Sequence, residues 1–586
     1  MAKFFITNNI NVYQKVGKIV NKSEYETAFH YSDKSLYAIS TKKLSVNNQN
    51  GVVCDNGFAM VTGTMAWKKG EPIKEETLTD IYTSFTKDVN QIRRSAIGNY
   101  AASIYKGGEL YIFGEIIGFY NIYYYNVNGE WLISNSLYDM AEALDGKLSL
   151  NKLAIVESTV QDGILLGDTY FNEIHRLSGY NYLKISSGKM VVIEEQILYP
   201  MATGALKEKA ERYASLARDY GVKMSAAYGT PCISMTGGLD ARIVLSTYLS
   251  VGIKPHLYYG TGNSFITNTF NEDKEIDKLF SKKFDLTFHE ESWETPSPVD
   301  KYWDEYLKMY GFYYDTYGGS DAIMESIKSN QCNLFTYGYC GELLRNLPWI
   351  ETRKTNYFTL DEYINEFYVT PAVIKEVKSP ENYISYIREK QIRICKLYNL
   401  DPTHIANEDI FYLSIERRKS ADSTMLNLVN YMKYCSYTIG EYSHLLAGRV
   451  TVDEAFNSSF MLYCLDALKP EVLDVPVFSH CTIRDFYRET MSLSPQVKPL
   501  TKSQKIKNII KIYFPFIPLL LNKTIWKGNK WRFSGDEQIF KQIQLLCGKY
   551  DDLGVVCTDC FEDQRRLLNY VMKIYALRKV KESSQL

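Results

Sequence analysis

The chain has 586 residues, more than one hydrophobic core normally organises, so two or more domains are expected. With 45% apolar residues, 23% charged residues and a formal net charge of −1, it has the balance of an ordinary soluble globular protein. That balance gives no support to nucleic acid as the principal partner.

The first 195 or so residues are β-rich. Runs of β-branched and aromatic residues at 110–114, 122–127, 130–134 and 182–186 are separated by Gly, Asn and Ser. Asn126-Val-Asn-Gly129 and Ser186-Ser-Gly-Lys189 read as hairpin turns. After about residue 200 helical periodicity takes over at 205–222. An apolar strand follows at 233–235, then a Thr236-Gly237-Gly238 turn, then a helix carrying Ile243, Val244, Tyr248 and Leu249, then a second strand near 257–259. Strand, helix, strand at this spacing predicts a parallel sheet with helices on its faces. From about residue 360 the pattern is mostly helical, with no fixed repeat.

Eleven cysteines fall at irregular spacing and residues 1–9 lack the long apolar core of a signal peptide, which fits free thiols in a reducing, cytoplasmic setting. Cys557 and Cys560 form one close pair, with no second ligand pair to complete a zinc site. Residues 509–521 are apolar but contain Lys511, Pro515 and Pro518 and are too short to span a bilayer. Between Lys502 and Arg532 the chain carries eight basic residues and no acidic one, a solvated basic face or a surface for an anionic partner.

Two segments carry chemistry. Gly237 and Gly238 have no Cβ, so their backbone can approach a ligand closely. The unpaired N–H groups and the dipole at the start of the following helix favour an anion such as phosphate. Asp240 beside bound phosphates calls for a divalent cation between them, and Mg²⁺ suits oxygen ligands of this kind. A Gly-Gly turn between strand and helix is also a common plain connection. In the second segment a short strand at 334–336 runs into Gly338-Tyr-Cys-Gly341-Glu342. A carboxylate at the C-terminal end of a parallel strand lies where ligands of open α/β sheets collect. Glu342 alternatively caps its own helix from the first turn.

The block Thr236-Gly237-Gly238-Leu239-Asp240-Ala241 resembles the pyrophosphate loop of ATP pyrophosphatases, Ser-Gly-Gly-x-Asp-Ser. Thr236 keeps the first hydroxyl, Ala241 loses the second, and Arg242 is next door to compensate. Ahead of it, Gly98-Asn-Tyr-Ala101, Phe113-Gly-Glu-Ile-Ile-Gly118, Tyr123-Tyr124-Tyr125, Leu132-Ile-Ser134 and the segment from Thr169 through Ile174 to Leu177 follow in order. They are similar to the landmarks of the amidotransferase domain of asparagine synthetases. Gly338 to Leu344 is similar to that family's Gly-Asp-Gly-Gly-Asp-Glu-Leu-Phe, with Glu342 on the family glutamate and the preceding aspartate replaced by Gly341 or deleted. The resemblance to asparagine synthetase-like proteins runs from about residue 1 to about 500.

What the resemblance implies is an α/β and α+β chain: an N-terminal Ntn-type αββα sandwich over 1–195, an α/β pyrophosphate-loop synthetase domain with a largely helical C-terminal part over 200–500, and a helical extension over 501–586. It implies ATP and Mg²⁺ as cofactors. Ser234, Thr236, Gly237, Gly238, Leu239, Asp240, Ala241, Arg242 and Gly338 would bind nucleotide, and Asp240 and Glu342 would be catalytic and hold the metal. The family's nucleophilic N-terminal cysteine is replaced by Ala2, so glutamine hydrolysis is not expected. Residues 416–419 and 469–476 echo a substrate-pocket arginine segment and a Pro-Glu-Leu turn, and the family's C-terminal lysine is matched only by position at Lys498 and Lys502. The implied reaction is ATP-dependent activation of a small-molecule, peptide or sugar carboxylate, followed by attack of an amine other than glutamine-derived ammonia. Losses at Ala2, Ala241 and Gly341 point instead to a catalytically impaired nucleotide- or peptide-binding scaffold. A partner protein or homodimer is compatible with both.

Overall fold

The computed structural model describes residues 3–22, 25–33, 35–196, 198–262, 267–293, 312, 332–345, 347–455, 458–478, 481–486, 553–558, 561 and 564–583. Ala2, Lys498, Lys502, the basic stretch from 502 to 532 and Cys560 lie outside the described residues.

Period-2 alternation in the first 195 residues builds two antiparallel sheets. Their strands are β1 (Phe4–Thr7), β2 (Thr27–Ser32), β3 (Tyr37–Thr41), β4 (Gly51–Cys54), β5 (Gly57–Trp67) and β6 (Ala96–Lys106). They continue with β7 (Glu109–Gly114), β8 (Tyr123–Val127), β9 (Glu130–Ser134), β10 (Ile174–Arg176), β11 (Tyr182–Ser186) and β12 (Lys189–Ile193). Among the described residues one sheet runs β10-β8-β9-β1-β3-β2 and the other β12-β11-β7-β6-β5-β4. Phe58 and Met60 of β5 and Leu110 and Ile112 of β7 face the core between the sheets. Their sequence neighbours Ala59, Val61, Tyr111 and Phe113 face outward, under Leu78, Ile81 and Phe85 from the helical stretch 75–85. Helix α1 (Ile10–Lys22) buries Val12, Val16 and Val20 at helical spacing against the other sheet. Both hairpins read from the sequence form: Asn128 and Gly129, and Ser187 and Gly188, take positive φ in two-residue turns whose twist suits the flanking strands.

Among the described residues a five-stranded parallel sheet follows. Its strands are β13 (Pro231–Ser234), β14 (His256–Gly262), β15 (Phe288–Trp293), β16 (Leu334–Tyr337) and β17 (Tyr434–Tyr437), in spatial order β15-β14-β13-β16-β17. The order reverses direction between β13 and β16. Such a reversal splays the connections to opposite faces and opens a crevice at the strand C-termini.

Cys232 on β13 and Cys332 just ahead of β16 form a disulfide, with Cα atoms 6.1 Å apart. This corrects the expectation of free thiols throughout: strands adjacent in space but 100 residues apart bring the two sulfurs together, which spacing along the chain does not show. Cys54, Cys395, Cys435, Cys464 and Cys557 stand outside that disulfide with their thiols unoxidised. Among the described residues no helix is long and apolar enough to cross a membrane.

Residues of the antiparallel sheets cover the β17 edge of the parallel sheet. On β17 the Cys435 N–H donates to Thr64 Oγ1 at 2.7 Å and the Tyr437 N–H donates to Asn99 Oδ1 at 3.0 Å. Buried Lys43 donates to the carbonyls of Asn430 at 2.9 Å and Lys433 at 3.1 Å. The Gly98 N–H donates to Glu441 Oε2 at 3.0 Å.

Asn99→Ala leaves the Tyr437 N–H without its acceptor and should cost about 1–3 kcal/mol in urea denaturation. Thr64→Val should cost less, because Asn430 Oδ1 also lies 3.3 Å from the Cys435 N–H.

Candidate nucleotide site

The apolar residues Pro231 to Ile233 are buried in the sheet, and the chain leaves it at Ser234 into the loop 235–238. Helix α7 of this domain's crossover, here taken with its predecessors α2 (Glu75–Ser84), α3 (Val89–Ser95), α4 (Leu137–Leu144), α5 (Lys152–Gln161) and α6 (Leu206–Tyr228), spans Leu239–Leu249. It packs Ile243, Val244, Leu245 and Tyr248 into the core. Ser234, Thr236 and Gly238 are exposed at the strand tip, whereas Gly237, Leu239 and Ala241 are buried. The Gly237 N–H donates to Asp273 Oδ1 at 2.8 Å, and the Gly238 N–H donates to Thr236 Oγ1 at 3.4 Å. A loop N–H thus already meets an oxyanion, a carboxylate from α8 (Thr267–Phe284).

Asp240 in the first turn of α7 reaches the turn after β16. Its Oδ1 is buried without a hydrogen bond, and Arg345 Nη2 donates to its Oδ2 at 3.4 Å. Burial raises the Asp240 pKa, while Arg345 and then Arg418 pull it down. Two glycines make room for this contact. A Cβ on Gly341 would lie 2.0 Å from Asp240 Cγ, and one on Gly338 would lie 2.7 Å from the Asp240 carbonyl carbon. Cys340, at φ 74°, turns the chain into the short 3-10 helix Gly341–Leu344. Glu342 in that turn forms an ion pair with Arg418 from the helix Ile410–Asn430. The structure therefore brings Asp240 against Gly338 and Gly341, with Glu342 next in the chain and linked to Asp240 through Arg418, at the sheet reversal where a crevice is expected. Arg345 and Arg418, not singled out from the sequence for this contact, come with them.

Arg242 is a correction. Expected toward phosphate, it is fully buried: Nε donates to the Gly237 carbonyl at 3.0 Å, and Nη1 donates to the carbonyls of Val472 at 3.2 Å and Val475 at 3.0 Å. Nη2 donates to the Pro476 carbonyl, and the guanidinium lies 4.7 Å from the centre of the Phe280 ring. Two residues beyond Asp240 is roughly 200° around the helix, so Arg242 points away from the crevice. It ties the glycine loop to the 470–476 turn, which gives that faint sequence echo a structural role. Burial pushes Arg242 down to about 9, against the pull of Asp277 and Asp273.

Asp277, one turn beyond Asp273, is fully buried, and neither carboxylate oxygen has a hydrogen-bond partner. Burial, aided by Asp273 and opposed by Arg242, pushes it up to about 8. Nothing in the sequence distinguished this pair from two acids on a solvated helix face. Cavities with other linings lie elsewhere: one of about 220 Å³ beside Gly98, Glu115 and Glu441, and one of about 110 Å³ beside Tyr170, Ser158 and Lys573.

No family model matches the chain, and no curated protein matches it. Among solved structures it has a likeness to glutamine phosphoribosylpyrophosphate amidotransferase from B. subtilis complexed with ADP and GMP, at 9% identity and a TM-score of 0.24. That match covers 49% of this chain and 65% of the other, so the chain spans about two thirds of that protein's length or slightly less. A second likeness, to the allosteric regulatory enzyme of purine biosynthesis, has 8% identity, a TM-score of 0.25, and covers 50% of this chain and 80% of that one. At these scores neither bears on the site, which is read from its own geometry.

The Asp277 pKa gives a pH prediction. Its folded value near 8 exceeds the unfolded value of about 3.9, so the folded state holds the extra proton between them and loses stability as pH rises through that window. Asp277→Asn should lack this loss. Thermal denaturation at pH 5 and pH 8.5 should show a variant whose advantage over wild type grows with pH.

Proposed function

We propose that the chain is an ATP-dependent ligase that activates a carboxylate as an acyl-adenylate and transfers the acyl group to an amine without hydrolysing glutamine. The observation that carries this reading is the packing of Asp240 against Gly338 and Gly341, the turn that also bears Glu342, at the point where the order of the parallel sheet reverses and the ends of β13 and β16 leave room for a ligand. The exposed Ser234 and Thr236 hydroxyls and the start of α7 face the same strand end and supply donors for phosphate oxygens.

Mg²⁺ fits the donor set. Asp240 Oδ1 is buried with no hydrogen bond, and among the described residues no group of three or more potential ligands gathers to cage a bare ion. Nucleotide-bound Mg²⁺ is ordinarily held by one or two carboxylates plus phosphates, which Asp240 and Glu342 match. When bound, the ion would neutralise charge on the departing pyrophosphate.

In the proposed reaction a substrate carboxylate oxygen attacks the α-phosphorus of ATP and pyrophosphate leaves toward the N-terminus of α7. The amine nitrogen then attacks the acyl carbon, loses a proton and displaces AMP. Most of the catalytic effect comes from positioning and charge. In this reading the β-rich first part of the chain serves as a cover for the sheet edge, and the amine is ammonia, an amino group of a second molecule, or one within the substrate. A second reading, a nucleotide- or peptide-binding scaffold, is favoured by the inward turn of Arg242, which removes one cation from the phosphate side.

The test is exchange of labelled pyrophosphate into ATP with Mg²⁺ and a panel of small-molecule, peptide and sugar carboxylates. At least one should support exchange, and Asp240→Asn should lower it roughly 100-fold or more with the fold intact by circular dichroism. ATP binding without exchange on any carboxylate, with Asp240→Asn still functional in cells, would put the scaffold reading in its place.

A further inference from the structure

We propose that Arg345 and Arg418 are phosphate-binding residues that guard the two acidic metal ligands, so that phosphate and Mg²⁺ enter this crevice as a coupled pair. The inference rests on the nucleotide reading of the crevice and adds to it the groups that receive the phosphates and the linkage between the two ligands.

The charges alternate. Arg345 pairs with Asp240 and Arg418 pairs with Glu342, and Arg418 also acts on Asp240. The arginines come from separate elements, the loop after the 3-10 turn and the long helix 410–430, so their convergence is a property of the tertiary fold. Their side chains are 39% and 29% exposed, whereas Arg242 spends its guanidinium on main-chain carbonyls. The Arg345 contact at 3.4 Å is long for a charged hydrogen bond and is readily exchanged for a better acceptor. A guanidinium presents donors in a planar fork that fits phosphate oxygens.

The quartet of two carboxylates and two guanidinium groups is neutral. A bare divalent cation placed on Asp240 and Glu342 would sit beside two positive groups, and a bare di- or triphosphate placed on the arginines would sit beside two negative ones. In a partly desolvated crevice each of these like-charge contacts is unfavourable. When both ligands arrive together, phosphate oxygens take the arginines, the cation takes the carboxylates, and every charge regains an opposite neighbour. Each ligand must then raise the affinity of the other by the same factor.

The probes are Mn²⁺, followed by electron paramagnetic resonance as a stand-in for Mg²⁺, and metal-free inorganic pyrophosphate, followed by calorimetry in chelator. Wild type should bind either alone weakly and the two together at least about tenfold more tightly than the solution metal–pyrophosphate equilibrium accounts for. Arg345→Gln and Arg418→Gln should each move the two affinities in opposite directions, with Mn²⁺ alone binding more tightly and pyrophosphate alone more weakly. Arg345→Lys should restore the exclusion of bare Mn²⁺ in part. A merely structural role would weaken both ligands, and that result, or unchanged binding of both, overturns the proposal while leaving the nucleotide reading in place. Wild type that binds neither pyrophosphate nor Mn²⁺ with pyrophosphate overturns the nucleotide reading and this inference with it. Circular dichroism screens each variant for folding, and because the arginines lie on different elements, either variant alone decides.

Discussion

The last strand of a parallel sheet exposes a row of main-chain N–H and C=O groups that must be paired, covered or left to aggregate. Here that strand is β17, and its outward N–H groups are taken by Thr64 and Asn99 of the first domain. The same seam buries Lys43 on two carbonyls of the second domain and passes the Gly98 N–H to Glu441. The β-rich first part of the chain then has a physical role whatever its own chemistry. The parallel sheet needs its cover, and β16, whose tip carries Glu342, is the strand directly inside the covered one.

Two kinds of buried charge sit near the glycine loop, and they act differently. Arg242 is buried but satisfied, its donors spread over four carbonyls, so it works as a strut between the loop and the 470–476 turn. Asp277 is buried and unsatisfied, so it keeps its proton at neutral pH. Asp240 and Glu342 stay partly exposed with arginine partners, and of these acids they alone lie where the sheet reversal opens a crevice. Position in the sheet, and not acidity alone, separates the candidate ligands from the rest.

Local chemistry was legible in the sequence wherever it is set by neighbours along the chain. The turns at 126–129 and 186–189 and the strand, glycine loop and helix at 231–249 stand where turn residues and periodicity put them. Strand β17 was hidden, because Tyr-Cys-Ser-Tyr is short and lies in a region dominated by helical periodicity. Without it the full sheet order and the covered edge were out of reach, and the Cys232–Cys332 pairing needed the adjacency of β13 and β16, which spacing along the chain does not show. The direction of Arg242 was within reach, since its angle from Asp240 follows from helix geometry alone. The arginines at 345 and 418 were not, because 73 residues of chain separate two side chains that only the fold unites.

Gly341 packs its bare Cα against Asp240, and a side chain there would occupy the volume of the Asp240 carboxylate. The two positions are therefore one design choice written twice: a bare backbone at 341 is the mould in which this chain's aspartate is cast. Any side chain at that one residue would evict Asp240 from its seat, so this site can change only by concerted replacement on both strand tips.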